Sequence, residues 1–349
     1  MFYIYSMILV TGSTGLVGTH LLLELAKKHD NIRATHRASS NLQAVYDTFA
    51  LYVDDPGIYY DKIEWIEADV TDFDTLIQAL VGVDYVYHTA AFVSFDPREH
   101  QTMIQINVGG TANLVNACLE RKVKKLCYVS STAALGNASA GEHITEDMIW
   151  SYSKNRSAYS VSKYQSEMEI WRGMAEGLQA VIVNPSIIIG PGDWKRSSSY
   201  LFSAVWKGMK FYTEGVTGYV DIRDVVHAMI NLMEGDFTSE RYSVSAENLS
   251  YRQVLEMIAS ALNKPPPGIH ATPLLISMAW RFDWLISKLS GKQRRITRDT
   301  VKSSKRKALF SNEKITQAIG IDFIPVKQSV RDTANYFLKH GPPGRIIKD

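Results

Sequence analysis

The sequence predicts a doubly wound α/β fold on a parallel sheet, with a smaller C-terminal lobe, and three observations lead there. Apolar runs alternate with helix-period segments from Met7 to Val129. The first run passes through three evenly spaced glycines into a helix. Each later run closes on small or polar residues, at the edge where such a sheet places its ligand.

Met7-Ile8-Leu9-Val10 reads as a buried strand ending at Thr11. Gly12, Gly15 and Gly18 follow, and Leu21-Leu22-Leu23 with Leu25-Ala26 continue at helical spacing to about Lys28. Strand, glycine loop and helix in that order suit a dinucleotide. Gly12 lets the chain turn out of the strand, and Gly15 removes the Cβ that would hold a pyrophosphate off the backbone. Gly18 lets the helix pack on its own strand, and the helix N–H groups face the phosphates. Ile32-Arg33-Ala34-Thr35 is a second strand, ending at His36-Arg37. An acidic residue at that end would bind a free ribose 2′-hydroxyl, but none occurs until Asp47. Arg37 stands there instead, either as a partner for a 2′-phosphate or as a solvated surface arginine, so NADP is expected over NAD.

Residues 63–68 alternate as a third strand leading to Asp69-Val70-Thr71-Asp72. Asp69 can accept from an adenine amino group, and Asp72 caps the helix that follows. Residues 83–88 form a fourth strand closing on Thr89-Ala90-Ala91, where backbone can approach a cofactor; His88 reads as a wall residue. Residues 101–121 have helical spacing and include Asn107 and Gly109-Gly110. Leu126-Cys127-Tyr128-Val129 is a fifth strand running into Ser130-Ser131-Thr132. Tyr159 and Lys163 are four apart in a helical segment and so share a face. An ammonium beside the phenol would lower its pKa from about 10 towards neutrality, making Tyr159 a general acid or base. The pair gains meaning because Ser131 ends a strand at the same sheet edge as the glycine loop.

Taken together these segments resemble the extended short-chain dehydrogenases/reductases, which include NAD-dependent epimerases and dehydratases. The matching pieces are Thr11-Gly12-Ser13-Thr14-Gly15-Leu16-Val17-Gly18, Asp69-Val70, Thr89-Ala90-Ala91, the Asn107 helix, Val129-Ser130-Ser131 and Tyr159-Ser160-Val161-Ser162-Lys163. Asn184-Pro185-Ser186, Gly190-Pro191-Gly192 and the stretch 219–225 continue the series to about Met233. The resemblance implies a Rossmann-type sheet in which Ser131 polarises a substrate carbonyl and Tyr159 donates the proton. Lys163 would hold the nicotinamide ribose, Asn107 would steady the active-site helix, and Pro185 and Ile188 would line the nicotinamide. Thr14, Leu16, Val17 and Ser199 complete the cofactor residues expected on that basis. Residues 34–37 and 184–192 are similar to the dihydroflavonol-reductase-like and 3β-hydroxysteroid-dehydrogenase-like branch.

The length admits one large domain or two smaller ones, expected here as 1–190 and 191–349, with 219–246 returning to the main sheet. The 38 basic and 36 acidic residues nearly cancel, so the net charge of +2 says nothing about nucleic acid, and no nucleic-acid partner is expected. Cys118 and Cys127 lack metal-ligand spacing, so no metal is expected and a reducing, cytoplasmic location is. The first six residues lack the cationic start of a signal peptide. Residues 180–183 form a sixth strand stopped by Asn184-Pro185. Tyr200, Phe202, Trp206, Phe211, Tyr212 and Tyr219 either line an apolar pocket or form a satellite core. Residues 273–289 suggest an amphipathic helix without a transmembrane span. The basic tract 292–307 reads as a solvated face, with contact to an anionic membrane as the lesser reading. Helix-like composition returns at 311–320 and 329–338.

The expected function is NADP(H)-dependent reduction of a small aldehyde or ketone. The alternatives are a nucleotide-sugar epimerase or dehydratase using bound NAD, with Lys195, Arg196 and the basic tract available for the diphosphate, and a non-catalytic dinucleotide sensor. A homodimer is expected through the helices at 101–121 and 159–177.

Overall fold

The computed structural model describes residues 6–94, 96–139, 141–153, 156–195, 197–272, 275 and 306–339. Seven strands make the main sheet: β1 (Met7–Thr11), β2 (Ile32–His36), β3 (Ile63–Glu67), β4 (Val83–His88), β5 (Lys125–Val129), β7 (Ala180–Pro185) and β11 (Glu240–Val244). All pairs are parallel, in the order β11-β7-β5-β4-β1-β2-β3. The winding direction reverses between β1 and β4, which opens a crevice at their carboxyl ends.

The central strands β1, β5 and β7 are largely apolar because both faces are covered, while the edge strands β3 and β11 carry charged residues. Ile8 and Val10 on β1, with Val181 and Val183 on β7, pack under α1 (Leu16–Ala26), α2 (Gln43–Phe49) and α9 (Ile222–Glu234). Leu9, Val86, Leu126 and Ile182 alternate to the other face, under α4 (Phe73–Ala79), α6 (Gly110–Glu120) and α7 (Ala158–Ala175). Each fully buried aliphatic side chain contributes roughly 1.5–3 kcal/mol. The short α3 (Gly57–Tyr60) and α5 (His100–Ile104) lie in the connections.

A second layer carries the lobe. Its sheet has β8 (Ile187–Ile189), β10 (Val216–Asp221) and β12 (Glu247–Ser250) in the order β12-β10-β8. Two-stranded pairs join β6 (His143–Ile144) to β14 (Leu309–Phe310), and β9 (Phe211–Tyr212) to β13 (Ile269–His270). The lobe's helices are α8 (Tyr200–Trp206), α10 (Tyr251–Ala261) and α12 (Val326–Lys339). In α12, Val326, Val330, Ala334 and Phe337 form one buried stripe against Phe202, Tyr219 and Ile258. Of the two readings of the aromatics, Phe202, Trp206 and Tyr219 thus realise the satellite core, while Tyr200 and Phe211 are exposed. The segment expected at 311–320 is α11 (Glu313–Ile319), closed by Gly320 in the left-handed region at φ 63°.

Several expectations need correction. The stretch 219–246 divides: β10 belongs to the second sheet, α9 packs back on the first, and β11 forms its edge. The sixth strand runs on through Pro185, since β5 has ended at Val129 and pairs no further than Val183. Ser186 N donates to Val244 O, so the alternating backbone turns the Pro185 nitrogen to the vacated side, where no N–H is needed. The helix expected over 101–121 is interrupted by a π-helical turn, Gln105–Gly109. The segment 273–289 and the tract 292–305 lie outside the described residues apart from Leu275. Among the described residues no helix is long and apolar enough to cross a membrane, and no cluster of metal-ligating side chains occurs.

Asp224 on α9 offers a test of how the layers join. It accepts from Ile324 N at 3.0 Å, and burial, with Asp221 and Asp322 adding, pushes its carboxyl up to about 7. A folded-state value above the ordinary 3.8 means the protonated acid favours the fold. That contribution is complete below about pH 4 and lost as pH rises through about 7. Asp224→Asn should therefore match the wild type at pH 4 and become progressively more stable than it up to pH 7, by urea denaturation at each pH.

Candidate active site

The glycine loop folds as its spacing requires. Gly12 has φ 69°, and a Cβ there would lie 2.4 Å from Ala90 N; one at Gly18 would lie 2.3 Å from Gly12 O. Thr89 donates its hydroxyl to Thr11 O at 2.7 Å, so β1 and β4 are locked together where the chain turns. At Gly15 an added Cβ would meet only Gly12 O, at 3.2 Å, leaving open space before α1. Gly15 is also the N-cap of α1 and supplies no side-chain cap. An uncapped helix start facing open space fits an anionic pyrophosphate.

Around this cradle the expected cofactor residues take different places. Thr14, Leu16 and Val17 sit on the loop and first turn, and Leu16 packs against Gly192, where a Cβ would lie 2.9 Å from its Cδ1. Arg37 is exposed just beyond β2. Asp69 accepts from Thr71 N and Oγ1 at 2.8 and 2.7 Å, and Asp72 caps α4. Val70 packs on Gly110, where a Cβ would lie 2.6 Å from its Cγ2. Ala91 is exposed beyond β4, Pro185 ends β7, and Ile188 lies in β8. Ser199 is buried and donates to Gly190 O at 3.1 Å, which commits its hydroxyl to the loop.

The chemistry-bearing residues meet at the carboxyl end of β5. Ser131 caps the 3₁₀ turn Thr132–Ala134, accepting from Ala133 N at 3.2 Å. Tyr159, in the first turn of α7, is hydrogen-bonded to Ser131. Asn107 is buried in the π-helical turn, a frequent feature of functional sites. Its amide donates to Phe92 O and Ser162 Oγ and its oxygen accepts from Phe92 N, joining the loop after β4 to α7.

Lys163 departs from expectation. It lies on the same helix face as Tyr159, yet its Nζ turns into the sheet, donating to Val129 O at 2.9 Å and Tyr128 OH at 3.4 Å. Burial lowers it to about 8, with Glu167 opposing. The phenol of Tyr159 is therefore not drawn towards neutrality: burial raises it, and only the Ser131 hydrogen bond opposes. Tyr159 stays protonated at neutral pH, the form that donates.

His88 is a wall residue, lowered to about 3 by burial with the Lys163 charge adding. Thr111 spends its proton on Asn107 O at 2.6 Å, so it must accept from His88 Nε2 at 3.1 Å, and His88 Nδ1 accepts from Thr11.

Beneath these residues lies a support that the sequence reading missed. Asn184 donates to Ser131 O at 3.0 Å and to the buried Glu167 carboxylate. Glu167 in turn pairs with Arg241 of β11 at 3.0 Å. The available signal was spacing, since Glu167 stands four residues beyond Lys163 and eight beyond Tyr159. A cleft of about 360 Å³ opens elsewhere, between residues 146–150 and the Tyr164–Trp171 side of α7.

The description NAD dependent epimerase/dehydratase family belongs to a family model that matches residues 8–245. The chain belongs to this family. It is an NAD(P)-dependent enzyme of the extended short-chain dehydrogenase/reductase type. A putative dihydroflavonol 4-reductase of Synechocystis sp. is 28% identical over 343 residues, covering 95% of this chain and 94% of that protein. Cinnamoyl-CoA reductase 1 of Petunia hybrida is 27% identical over 350 residues, covering 95% and 92%. Among solved structures, that of gox2253 superposes with TM-score 0.80 at 28% identity, covering 97% of this chain and 99% of that one.

Proposed function

We propose that this family member reduces a small aldehyde or ketone with NADPH, Tyr159 donating the proton. The observation that carries this reading is the pairing of the Tyr159 phenol with Ser131, at the sheet edge that also holds the glycine cradle. The two reductase relatives support the direction of the chemistry. When bound, the cofactor supplies the hydride. The protein's own residues do the rest: Ser131 and Tyr159 direct their hydroxyls at the carbonyl oxygen, and Tyr159 passes its proton there as negative charge develops. Asn107 ties the loop after β4 to the helix that carries Tyr159, and Lys163 anchors that helix to β5. The test is NADPH consumption, followed at 340 nm, over a panel of aldehydes, ketones and nucleotide sugars. Turnover of a nucleotide sugar without net NADPH loss would replace this reading with the epimerase one.

The cofactor preference rests on Arg37 and on the lack of an acid at the end of β2. A charge-assisted contact to a 2′-phosphate contributes about 1.5–3 kcal/mol, roughly ten- to a hundred-fold in affinity. Arg37→Ala should weaken NADPH binding by that factor and leave NADH nearly unchanged in fluorescence titration. Equal wild-type affinities for the two would remove the NADP assignment.

The homodimer through α6 and α7, the division at 190/191 and a cytoplasmic location belong to the same reading. For the dimer, a single species near 39.2 kDa in sedimentation would decide against it.

A further inference from the structure

Among the described residues, two arginines near the Ser131–Tyr159 centre have no carboxylate partner. Arg156 lies three residues before Tyr159, just ahead of Ser157, the N-cap of α7. Its Nη1 donates to Leu135 O at 3.1 Å, and its guanidinium stands 5.2 Å from the centre of the Trp150 ring. Its Nε and Nη2 are buried and meet no acceptor. Arg306 donates from Nη2 to Asn137 Oδ1 at 2.9 Å, two residues further along the same loop. The Arg156 guanidinium is pushed below its ordinary value, by desolvation first and then by the charge of Arg306. Among the described residues no carboxylate forms an ion pair with either one.

The vacant edge of Arg156 has a known use within this molecule. Arg98 and Arg223 each present Nε and Nη2 to a carboxylate, Asp96 and Asp221, in a two-pronged contact. In Arg156 the same edge is closed off from solvent beside the Trp150 ring and meets no acceptor. Two guanidinium donors shut away from water without an acceptor are costly unless an anion meets them. The loop that carries both contacts continues directly from the turn capped by Ser131. It is also fixed in place: a Cβ at Gly136 would lie 2.7 Å from Ile149 O and from Met148 Cβ.

We propose that Arg156 and Arg306 form an anion subsite next to the reaction centre, taking a carboxylate or phosphate borne by the carbonyl substrate. The carbonyl half rests on the reductase reading above; the anion contact does not. Arg156 supplies the planar fork and Arg306 a second cation, so a substrate with an anionic group is held with its carbonyl towards Ser131 and Tyr159.

Calorimetry with benzoate, phenyl phosphate and the neutral control benzyl alcohol tests the subsite without turnover. The wild type should bind at least one anion more than ten-fold tighter than benzyl alcohol, and the better anion tells carboxylate from phosphate. Arg156→Met and Arg306→Met should each lose that margin, while Arg156→Lys keeps part of it. Arg306 is exposed, so its variant keeps the test decisive should Arg156→Met fold poorly. Equal binding of neutral and anionic probes, or unchanged anion binding in the Met variants, overturns the proposal. A second arm compares NADPH-dependent reduction of 4-carboxybenzaldehyde and benzaldehyde. If neither is reduced while anion binding still depends on both arginines, the carbonyl reading fails and the subsite stands.

Discussion

Tyr159→Phe lowers kcat/KM for carbonyl reduction by about 10²–10⁴-fold, the usual contribution of a positioned proton donor. The variant keeps the ring and removes only the hydroxyl that meets Ser131. Packing and cofactor affinity should therefore be unchanged, and the loss should fall on kcat. Stopped-flow single turnover with saturating NADPH separates the chemical step from binding. A variant that reduces the same substrate at the wild-type rate would remove Tyr159 from the reaction. The raised phenol value adds a condition: the donor form persists through neutral pH. Any alkaline limb near pH 8 then belongs to Lys163, whose ammonium burial lowers to about 8.

Glu167→Ala should be the most destabilising substitution around the site, by about 3–5 kcal/mol, because it strands Arg241 without its carboxylate. The Glu167 side chain is fully buried and Arg241 nearly so. Asn184 loses an acceptor in the same step, and with it the brace on the Ser131 carbonyl. Denaturant unfolding measures the stability. The pH–rate profile of Glu167→Gln provides an independent readout, since the Glu167 charge holds the Lys163 value up. Without that charge the alkaline limb should move to lower pH. An unchanged limb together with wild-type stability would mean that the buried pair carries neither role.

Much of this fold could be read in the chain because its signals are local. Continuous apolar strands, glycines at 12, 15 and 18, and acids or serines ahead of helices act through sterics and hydrogen bonds within a few residues. The helix over 158–175 was legible for the same reason, and so was the contact edge where Ser131 and Tyr159 meet. The reading failed where the deciding partner is distant. Tyr159 and Lys163 share a helix face, but the Val129 carbonyl and the Tyr128 hydroxyl, both on β5, decide where the ammonium goes. The aromatics of the lobe were ambiguous until α12, more than a hundred residues later, closed over them.

What the sequence by itself determined is the order of the main strands and helices, the glycine turn ahead of α1 and the placing of Ser131 and Tyr159 at one sheet edge, all set by spacing along the chain. Only the tertiary structure decided that burial raises the Tyr159 phenol, that Glu167, Asn184 and Arg241 brace the Ser131 carbonyl, and that Arg156 and Arg306 have no carboxylate partner among the described residues. Those outcomes depend on burial and on charges brought together from different elements. Desolvation and Coulomb interactions act through space, so no local pattern records them.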